Sequence, residues 1–335
     1  MGVTAIVVSY RDPAATARAV DSLLAGTVAP GRVIVVDNGS TTDGLRSLRG
    51  AGDHVDVVRP ERNLGFAPAV ELAAARAGSE WLLLLNPDAR AAPDCLERLL
   101  GAAASDVAIV GAQVLLPDGR VNAGDNPVHL TGLCWAGRYG ELPEDGPARD
   151  TLTVSGAAML VRRRAFEQLG GFAPGSFLYY EDTDLAWRAR LAGWRVRFAP
   201  AARVEHDYEF GKGHAKWYWL ERNRTWAVLS NFEAGTLLLL APLLLATELA
   251  IALQAAAEGW VAAKLRAWLD VVRGVRSLRA WRRRVQAMRI VRDAELLPEF
   301  RGAVETPLLR ARWLAVVNGW LVRYRDGVVA LRARA

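Results

Sequence analysis

Three apolar runs, TAIVVSY at 4–10, RVIVVDNGS at 32–40 and EWLLLLNPD at 80–88, each stop on polar or glycine residues, and segments of helical spacing stand between them. This rhythm constrains the fold more than any other feature. PAATARAVDSLLAG (13–26) repeats apolar residues every three or four positions and ends at a glycine. VDVVRP (55–60) is a further short apolar run, and APAVELAAARAG (67–78) a further helical stretch. The alternation predicts an α/β domain: a parallel sheet with helices on both faces. Ligands of such sheets bind beyond the carboxyl ends of the strands. The residues there are Ser9, Tyr10, Asp37, Asn38, Gly39, Ser40, Asn86 and Asp88, polar or small as a nucleotide crevice requires.

Residues 117–150 are rich in Gly, Pro and Asp and read as a long loop. TVSGAAMLVRR (153–163) returns to strand, and RAFEQLGGF is a short helix closed by glycines. YYEDTDLAW (179–187) leads into a helix that stops at Gly193. WRVRFAP (194–200) is strand-like, and ARVEHDYEFGKGH (202–214) reads as a polar loop.

Charge divides the chain. Residues 1–211 carry 21 basic and 26 acidic side chains, while 212–335 carry 21 basic and 10 acidic, and hold eight of the twelve tryptophans. Basic charge combined with tryptophan and apolar runs fits an anionic membrane surface better than nucleic acid. Residues 235–260 form a strongly apolar run, interrupted by Pro242, Glu248, Gln254 and Glu258. It is long enough to cross a bilayer, but a glutamate near its middle would be costly there, so interfacial packing is expected. From Lys264 to Arg292 there are ten basic residues and one acid, Asp270. Leu265, Trp268, Val272, Val275, Leu278, Trp281, Val285 and Met288 recur at helical spacing there, which predicts one amphipathic helix with a basic face. Cys95 and Cys134 stand far apart with no metal-type spacing, which suits a reducing compartment. The opening MGVTAIVVSYRD lacks a charged region before its short apolar stretch and reads as a first strand rather than a signal peptide.

Taken singly, the polar stretches are ambiguous. VVDNGSTTD (35–43) suits a base or ribose contact, and equally an ordinary strand-to-helix turn. In RNLGFAPAVELAAA (62–75), Asn63 and Gly65 turn into a helix whose first amides favour an anionic group, or simply begin a helix. LLLLNPDA (82–89) ends a buried strand at a carboxylate, Asp88, suited to a hard divalent cation. There is no G-x-G-x-x-G after the first strand and no G-x-x-x-x-G-K-[ST], so dinucleotide and P-loop readings lack their phosphate cradles.

In order and spacing, VVSY, VVDNGSTTD, NLGFA, LLLNPDA, SGAAMLVRR, GGF and YYEDTDLAWRARLAGW together resemble family 2 glycosyltransferases, over about residues 3–225. The resemblance implies a GT-A fold and an inverting, metal-dependent enzyme using a nucleotide-sugar donor. It implies a catalytic domain at 1–225, and the charge and apolar runs make 226–335 a helical, basic, membrane-associating region. By the same resemblance, Ser9, Tyr10, Asp37, Asn38, Gly39, Ser40, Asn63 and Gly65 border the nucleoside. Asn86-Pro87-Asp88 stands at the family's D-x-D metal motif, with Asn86 the departure. Asp88 and His206 are then the expected ligands of Mn2+ or Mg2+, histidine tilting the choice toward Mn2+. Asp182 corresponds to the catalytic base, since inversion by single displacement needs a base on the acceptor hydroxyl. Glu181 is expected to orient Asp182 or that hydroxyl, and Asp184 to serve the helix start. Ser155 and Gly156 match a segment facing the acceptor. Arg222 and Arg224 in LERNRTW, with Lys212 and His214 in a glycine-flanked loop, are expected near a diphosphate. Pro68 and Glu71 depart from a commoner form with glycine and asparagine.

Within the family the chain looks most like bacterial rhamnosyltransferases, which move L-rhamnose from dTDP-L-rhamnose to a polyprenyl-diphosphate-linked sugar in cell-wall or polysaccharide assembly. Expected partners are a dTDP- or UDP-sugar, the lipid-linked acceptor, an anionic membrane surface and, as an open alternative, a second copy of the chain. Nucleic acid is not among them. The expected location is the cytoplasmic face of the membrane, peripheral or monotopic. Transfer of another hexose, an N-acetylhexosamine or galactofuranose remains open, as does an inactive GT-A assembly subunit.

Overall fold

The computed structural model describes residues 2–39, 44–45, 48, 54–207, 215–305 and 312–334, with the side chains of 312–314 left aside. They fall into two compact units. The first is Met1–Asn126, Ala136–Ala189 and Trp194–Glu209; the second is Pro127–Trp135, Arg190–Gly193 and Phe210–Ala335.

The first unit is built on a ten-stranded sheet. Strands β1 (Val3–Ser9), β2 (Arg32–Asp37), β3 (Val55–Val58) and β4 (Trp81–Leu85) are the apolar runs anticipated from sequence. β1 and β4 are buried at every position, as strands covered on both faces must be. Next come β5 (Ala89–Ala91), β6 (Val107–Leu115), β7 (Val121–Ala123), β8 (Arg149–Asp150), β9 (Ala158–Arg162) and β10 (Arg195–His206). The path across the sheet is β3-β2-β1-β4-β9-β6-β10-β5, with β7 beside β6 and β8 beside β10. β3, β2, β1 and β4 are mutually parallel, and β6 and β10 run the same way. β9 runs against both of its neighbours in the middle of the sheet. The sheet is thus mainly parallel, as expected for a GT-A fold.

Helices α1 (Pro13–Leu24), α2 (Phe66–Ala74), α3 (Cys95–Gly101) and α4 (Arg163–Leu169) flank the sheet. Asp12 begins α1, its carboxylate accepting from Ala15 N at 2.8 Å, with Pro13 in the first turn where a missing N–H costs nothing. α5 (Glu181–Leu191) starts on the acidic motif, and its residues 183–189 are buried. The segment 202–214, expected as a loop, divides differently. Its first five residues continue β10 through a register shift between Ala199 and Arg203, so His206 ends a strand.

The second unit contains α6 (Ala215–Asn231), α7 (Ala234–Ala257), α8 (Val261–Arg273), α9 (Val275–Ala287), α10 (Asp293–Leu296), a 3-10 turn (Leu297–Glu299) and α11 (Arg312–Ala333). The single amphipathic helix expected over 264–292 is two helices that meet at Gly274. α6 packs on both. A Cβ at Gly274 would lie 3.0 Å from the Trp226 ring and from the Asp270 carbonyl, so the joint needs the missing side chain. The buried faces are Lys264, Ala267 and Val271 on α8, and Leu278, Trp281 and Val285 on α9. Leu265, Val272 and Val275, expected in the apolar seam, are exposed.

Candidate functional site

One edge of the sheet gathers the sequence-selected residues of the first unit. Ser9, Asp37 and His206 end β1, β2 and β10, Asn38 follows β2, and Asn86 follows β4. β9 is reversed, so its beginning lies at this same edge: Leu85 pairs with Ala158, and Asn86 N donates to Ala157 O at 2.9 Å. That reversal brings Ser155 and Gly156 beside the strand ends.

The edge near β1 and β2 is pre-arranged. Asp37 is buried and held by Arg59, whose Nε donates to Oδ2 at 2.8 Å. Sequence reasoning missed Arg59. The signal was there, because the parallel register sets Val36 beside Val58 and so places the residues after them side by side. Asn38, also buried, accepts from Leu64 N at 2.7 Å and donates to Gly65 O at 2.8 Å, which fixes the NLG turn. Asn63 accepts from Gly65 N at 2.8 Å. Gly65 has φ 83°, and a Cβ there would lie 2.5 Å from the Phe177 ring and carbonyl. That carbonyl accepts from Phe66 N at 2.6 Å and Ala67 N at 3.3 Å. The first amides of α2 are therefore capped by protein, and the reading of them as an anion site is corrected. Ser9 is buried with its Oγ accepting from Thr16, whereas Tyr10 is exposed with Arg11 over its ring.

Asn86, Asp88 and His206 come together. His206 Nε2 lies 3.0 Å from Asp88 Oδ1 and 3.3 Å from Asn86 Nδ2. Among the described residues no three His, Cys, Asp or Glu side chains gather as a metal cage. One carboxylate and one imidazole meeting at one point form a two-ligand set. That donor chemistry fits a hard or borderline divalent ion.

Asp182 sits in the first turn of α5, facing the approach to β9. Its Oδ2 accepts from Gly156 N at 2.7 Å, and its Oδ1 accepts from Thr183 N at 2.6 Å. A Cβ at Gly156 would lie 3.0 Å from Asp182 Cβ and Oδ2, so a side chain there would crowd the carboxylate. Burial pushes the Asp182 carboxyl above its ordinary range, and the hydrogen bonds from Gly156 and Thr183 offset part of that. Burial likewise pushes Glu181 up to about 8, and the neighbouring Asp182 charge adds to it. Glu181 Oε2 is buried with no hydrogen-bond partner among the described residues. At neutral pH the pair therefore favours one negative charge over two. Tyr179 and Tyr180, just before them, have φ of 66° and 71°. Two successive non-glycine residues in the left-handed region are strained, by roughly 1–3 kcal/mol each. Asp184 lies in the first turn of α5, and beyond the expected service to the helix start it pairs with buried Arg188 at 2.8 Å; Arg188 also donates to Leu169 O and to Gly171 O of the GGF turn. Glu71 accepts from Phe172 N at 3.0 Å, which ties the same turn to α2.

Arg222 and Arg224 belong to the second unit. Arg222 is buried over the Trp226 ring at 4.2 Å. Arg224 is buried and bonded to Glu221, Glu248 and Thr131 O, so its guanidinium already has an anionic setting within its own unit. Ser40, Lys212 and His214 lie outside the described residues.

A family model described as "Glycosyltransferase like family 2" matches residues 1–228. The chain belongs to this glycosyltransferase family. The Mycobacterium tuberculosis protein "N-acetylglucosaminyl-diphospho-decaprenol L-rhamnosyltransferase" is 28% identical over 259 residues, covering 69% of this glycosyltransferase and 84% of that protein. Among solved structures, GalNAc-T7 with UDP, GalNAc and Mn2+ superposes with a TM-score of 0.60 at 16% identity, covering 69% of this chain and 48% of that one, about half its length. The S. aureus TarS fragment 1-349 in complex with UDP-GlcNAc superposes with a TM-score of 0.54 at 15% identity, covering 98% of this chain and 91% of that one. At such identities these likenesses show the fold alone, the α/β GT-A arrangement. That the glycosyltransferase is a transferase follows from its family.

Proposed function

We propose that this glycosyltransferase is an inverting, divalent-metal-dependent enzyme that moves L-rhamnose from dTDP-L-rhamnose to a polyprenyl-diphosphate-linked sugar at the cytoplasmic face of a membrane. The observation that carries the chemistry is Asp182 fixed against Gly156 at the sheet edge where Asp37, Asn38, Asp88 and His206 also stand. The donor and acceptor classes rest on the mycobacterial relative, whose name specifies an L-rhamnosyl transfer onto a diphospho-decaprenol-linked sugar.

Asp182 acts as general base. It takes the proton of an acceptor hydroxyl, and that oxygen attacks the anomeric carbon opposite the nucleoside diphosphate. The bond to the diphosphate breaks and its electron pair leaves with the phosphate oxygen, so configuration inverts. A pKa raised by burial makes Asp182 a stronger base than a solvated aspartate. The two hydrogen bonds from Gly156 and Thr183 hold the carboxylate in one orientation, which removes an ordering step from the barrier. Glu181, protonated at neutral pH, can donate a hydrogen bond toward Asp182 or the acceptor. Asp88 and His206 would hold Mn2+ or Mg2+, whose charge would stabilise the departing diphosphate. Asn38 and Asp37 keep the nucleoside edge in place.

The test is release of dTDP from dTDP-L-rhamnose with a polyprenyl-diphosphate-GlcNAc acceptor. Asp182→Asn keeps an oxygen acceptor for Gly156 N and should fold, yet lose about 10²–10⁴-fold in turnover. Unchanged turnover in that variant would overturn the base assignment. Release from another nucleotide sugar, with none from dTDP-L-rhamnose, would overturn the donor assignment alone.

A further inference from the structure

α7 is the one helix among the described residues long and apolar enough to cross a membrane. Its surroundings argue for a different disposition. Thr236, Leu240 and Leu243 are buried along one side. At mid-helix, the Glu248 carboxylate is bonded to Arg224 of α6 and to both Lys264 and Trp268 of α8. Lys264 is fully buried and also bonded to Glu221. Near the start of α7, Tyr324 of α11 donates to Leu239 O at 2.6 Å, and Arg332 of α11 pairs with Glu233. The helix is thus tied to three others of its unit along most of its length. These charges would have to be carried into hydrocarbon or torn apart if it crossed a bilayer.

The opposite side of α7 is bare. Leu238, Leu245, Leu249 and Leu253 are 77%, 72%, 62% and 64% exposed. At 100° per residue they share one face of the helix. The adjacent α8 repeats the pattern, with Leu265, Leu269 and Val272 exposed at i, i+4 and i+7. Arg266, Arg273, Arg276, Arg279, Arg283 and Arg284 are exposed on α8 and α9. Asp270, the single acid between Lys264 and Arg292, accepts from Tyr218 Oη and pairs with Arg273 at 4.0 Å, so it offsets one of these charges and leaves the excess. Apolar stripes beside an excess of arginines complement a bilayer with anionic headgroups, where leucines meet acyl chains and guanidiniums meet phosphate.

We propose that α7 and α8 dock on an anionic bilayer with α7 lying in the membrane plane, its Leu238–Leu245–Leu249–Leu253 face immersed and its Glu248 side turned into the protein. The proposal deepens the membrane-linked reading of the acceptor and rests on it only for purpose. The surface itself is independent of which sugar is moved.

The full chain is tested by sedimentation with vesicles of phosphatidylcholine alone and with phosphatidylglycerol added. Wild type should bind the anionic vesicles at least tenfold better. Leu245→Ser/Leu249→Ser/Leu253→Ser should lose that binding while keeping turnover on a short-chain soluble acceptor. In a Cys95→Ser/Cys134→Ser background, spin labels at 238, 245, 249 and 253 should all report one shallow depth. A crossing helix would spread them over about 20 Å, at 1.5 Å per residue, and would overturn the in-plane disposition. Undiminished vesicle binding by the triple variant would overturn the docking face. So would a wild-type dimer, seen by sedimentation without lipid, that the triple variant splits, because the leucines would then be a seam between copies. A wild type that binds the anionic vesicles but releases no dTDP from dTDP-L-rhamnose would count against the proposed transfer reaction and leave the docking surface standing.

Discussion

Asp182 and Gly156, 26 residues apart in sequence, are joined by a 2.7 Å hydrogen bond from the glycine N–H to the carboxylate. The approach is tight at 156, where a Cβ would sit 3.0 Å from Asp182 Oδ2. Gly156→Ala should therefore displace the carboxylate. Turnover should fall by about 10²-fold, as expected for a reacting group moved by less than a bond length. Stability should fall by no more than about 1–3 kcal/mol, the usual range for overpacking. Steady-state kinetics and urea unfolding of the same preparation separate the two effects.

Glu181 gives a pH signature. Its carboxyl is pushed from 4.5 to about 8 by burial and by Asp182, so the folded chain holds a proton that the unfolded chain has released. Stability should fall as pH rises through the window from about 4.5 to 8. Glu181→Gln should flatten that slope and be relatively more stable at pH 8 than at pH 5. Urea midpoints at both pH values give the answer, and an unchanged slope in the variant would count against a protonated Glu181.

For the metal pair, chelation with EDTA should abolish turnover, and added Mn2+ or Mg2+ should restore it. Without substrate, Mn2+ in excess should raise the melting temperature of wild type, because binding to the folded form alone is stabilising. His206→Ala and Asp88→Asn should each lose that shift. A full shift in both variants would place the ion elsewhere.

Removal of one member of the Glu221–Arg224–Glu248–Lys264 cluster should be costly. Lys264→Ala leaves two carboxylates with less positive charge in a buried setting, at an expected cost of about 3–5 kcal/mol. Lys264→Ala/Glu248→Ala should cost less than the sum of its two single changes, because it removes charge of both signs. Thermal denaturation of the three variants measures this coupling.

Asn38→Ala removes both hydrogen bonds that fix the NLG turn, one to Leu64 N and one to Gly65 O. A cost of about 1–3 kcal/mol is expected for the groups left unpaired. The KM for the nucleotide sugar should rise more than kcat falls, since the turn borders the proposed nucleoside edge and not the base.

The strands and their polar ends were readable from the sequence because burial on both faces writes itself as unbroken apolar runs. Asp37 and Asn86 stand where those runs stop, and Asp184 stands in the first turn of its helix, whereas His206 read as part of a loop because the strand that it ends passes through a register shift. What escaped was pairing between segments far apart. Nothing in RNLGFAPAVE tells that Phe177, over a hundred residues on, supplies the carbonyl that caps this helix. Periodicity assigned Leu265 and Val272 to the buried seam, yet the buried residue is Lys264, because an ion pair with Glu221 and Glu248 outweighs the apolar pattern. Gly274, where one expected helix divides into two, packs closely against Trp226 of another helix, a contact that the sequence does not show. Arg224 carried a diphosphate expectation by type and place, but its partners are carboxylates that only the helix packing brings near. The direction of β9 was equally hidden, since an apolar strand reads the same in either sense.

That reversed strand also sets a schedule for synthesis. β9 is the single link between the β3-β2-β1-β4 ribbon and the β6-β10-β5 ribbon. The first ribbon is complete once Leu85 has left the ribosome, but its partner on the open side begins only at Ala158. Throughout that interval the nascent chain presents WLLLL as an unpaired edge, a template for pairing with other chains. The stretch that closes this gap begins just after Gly156, so the strand that covers the exposed edge also brings to it the glycine that Asp182, made later, will bind.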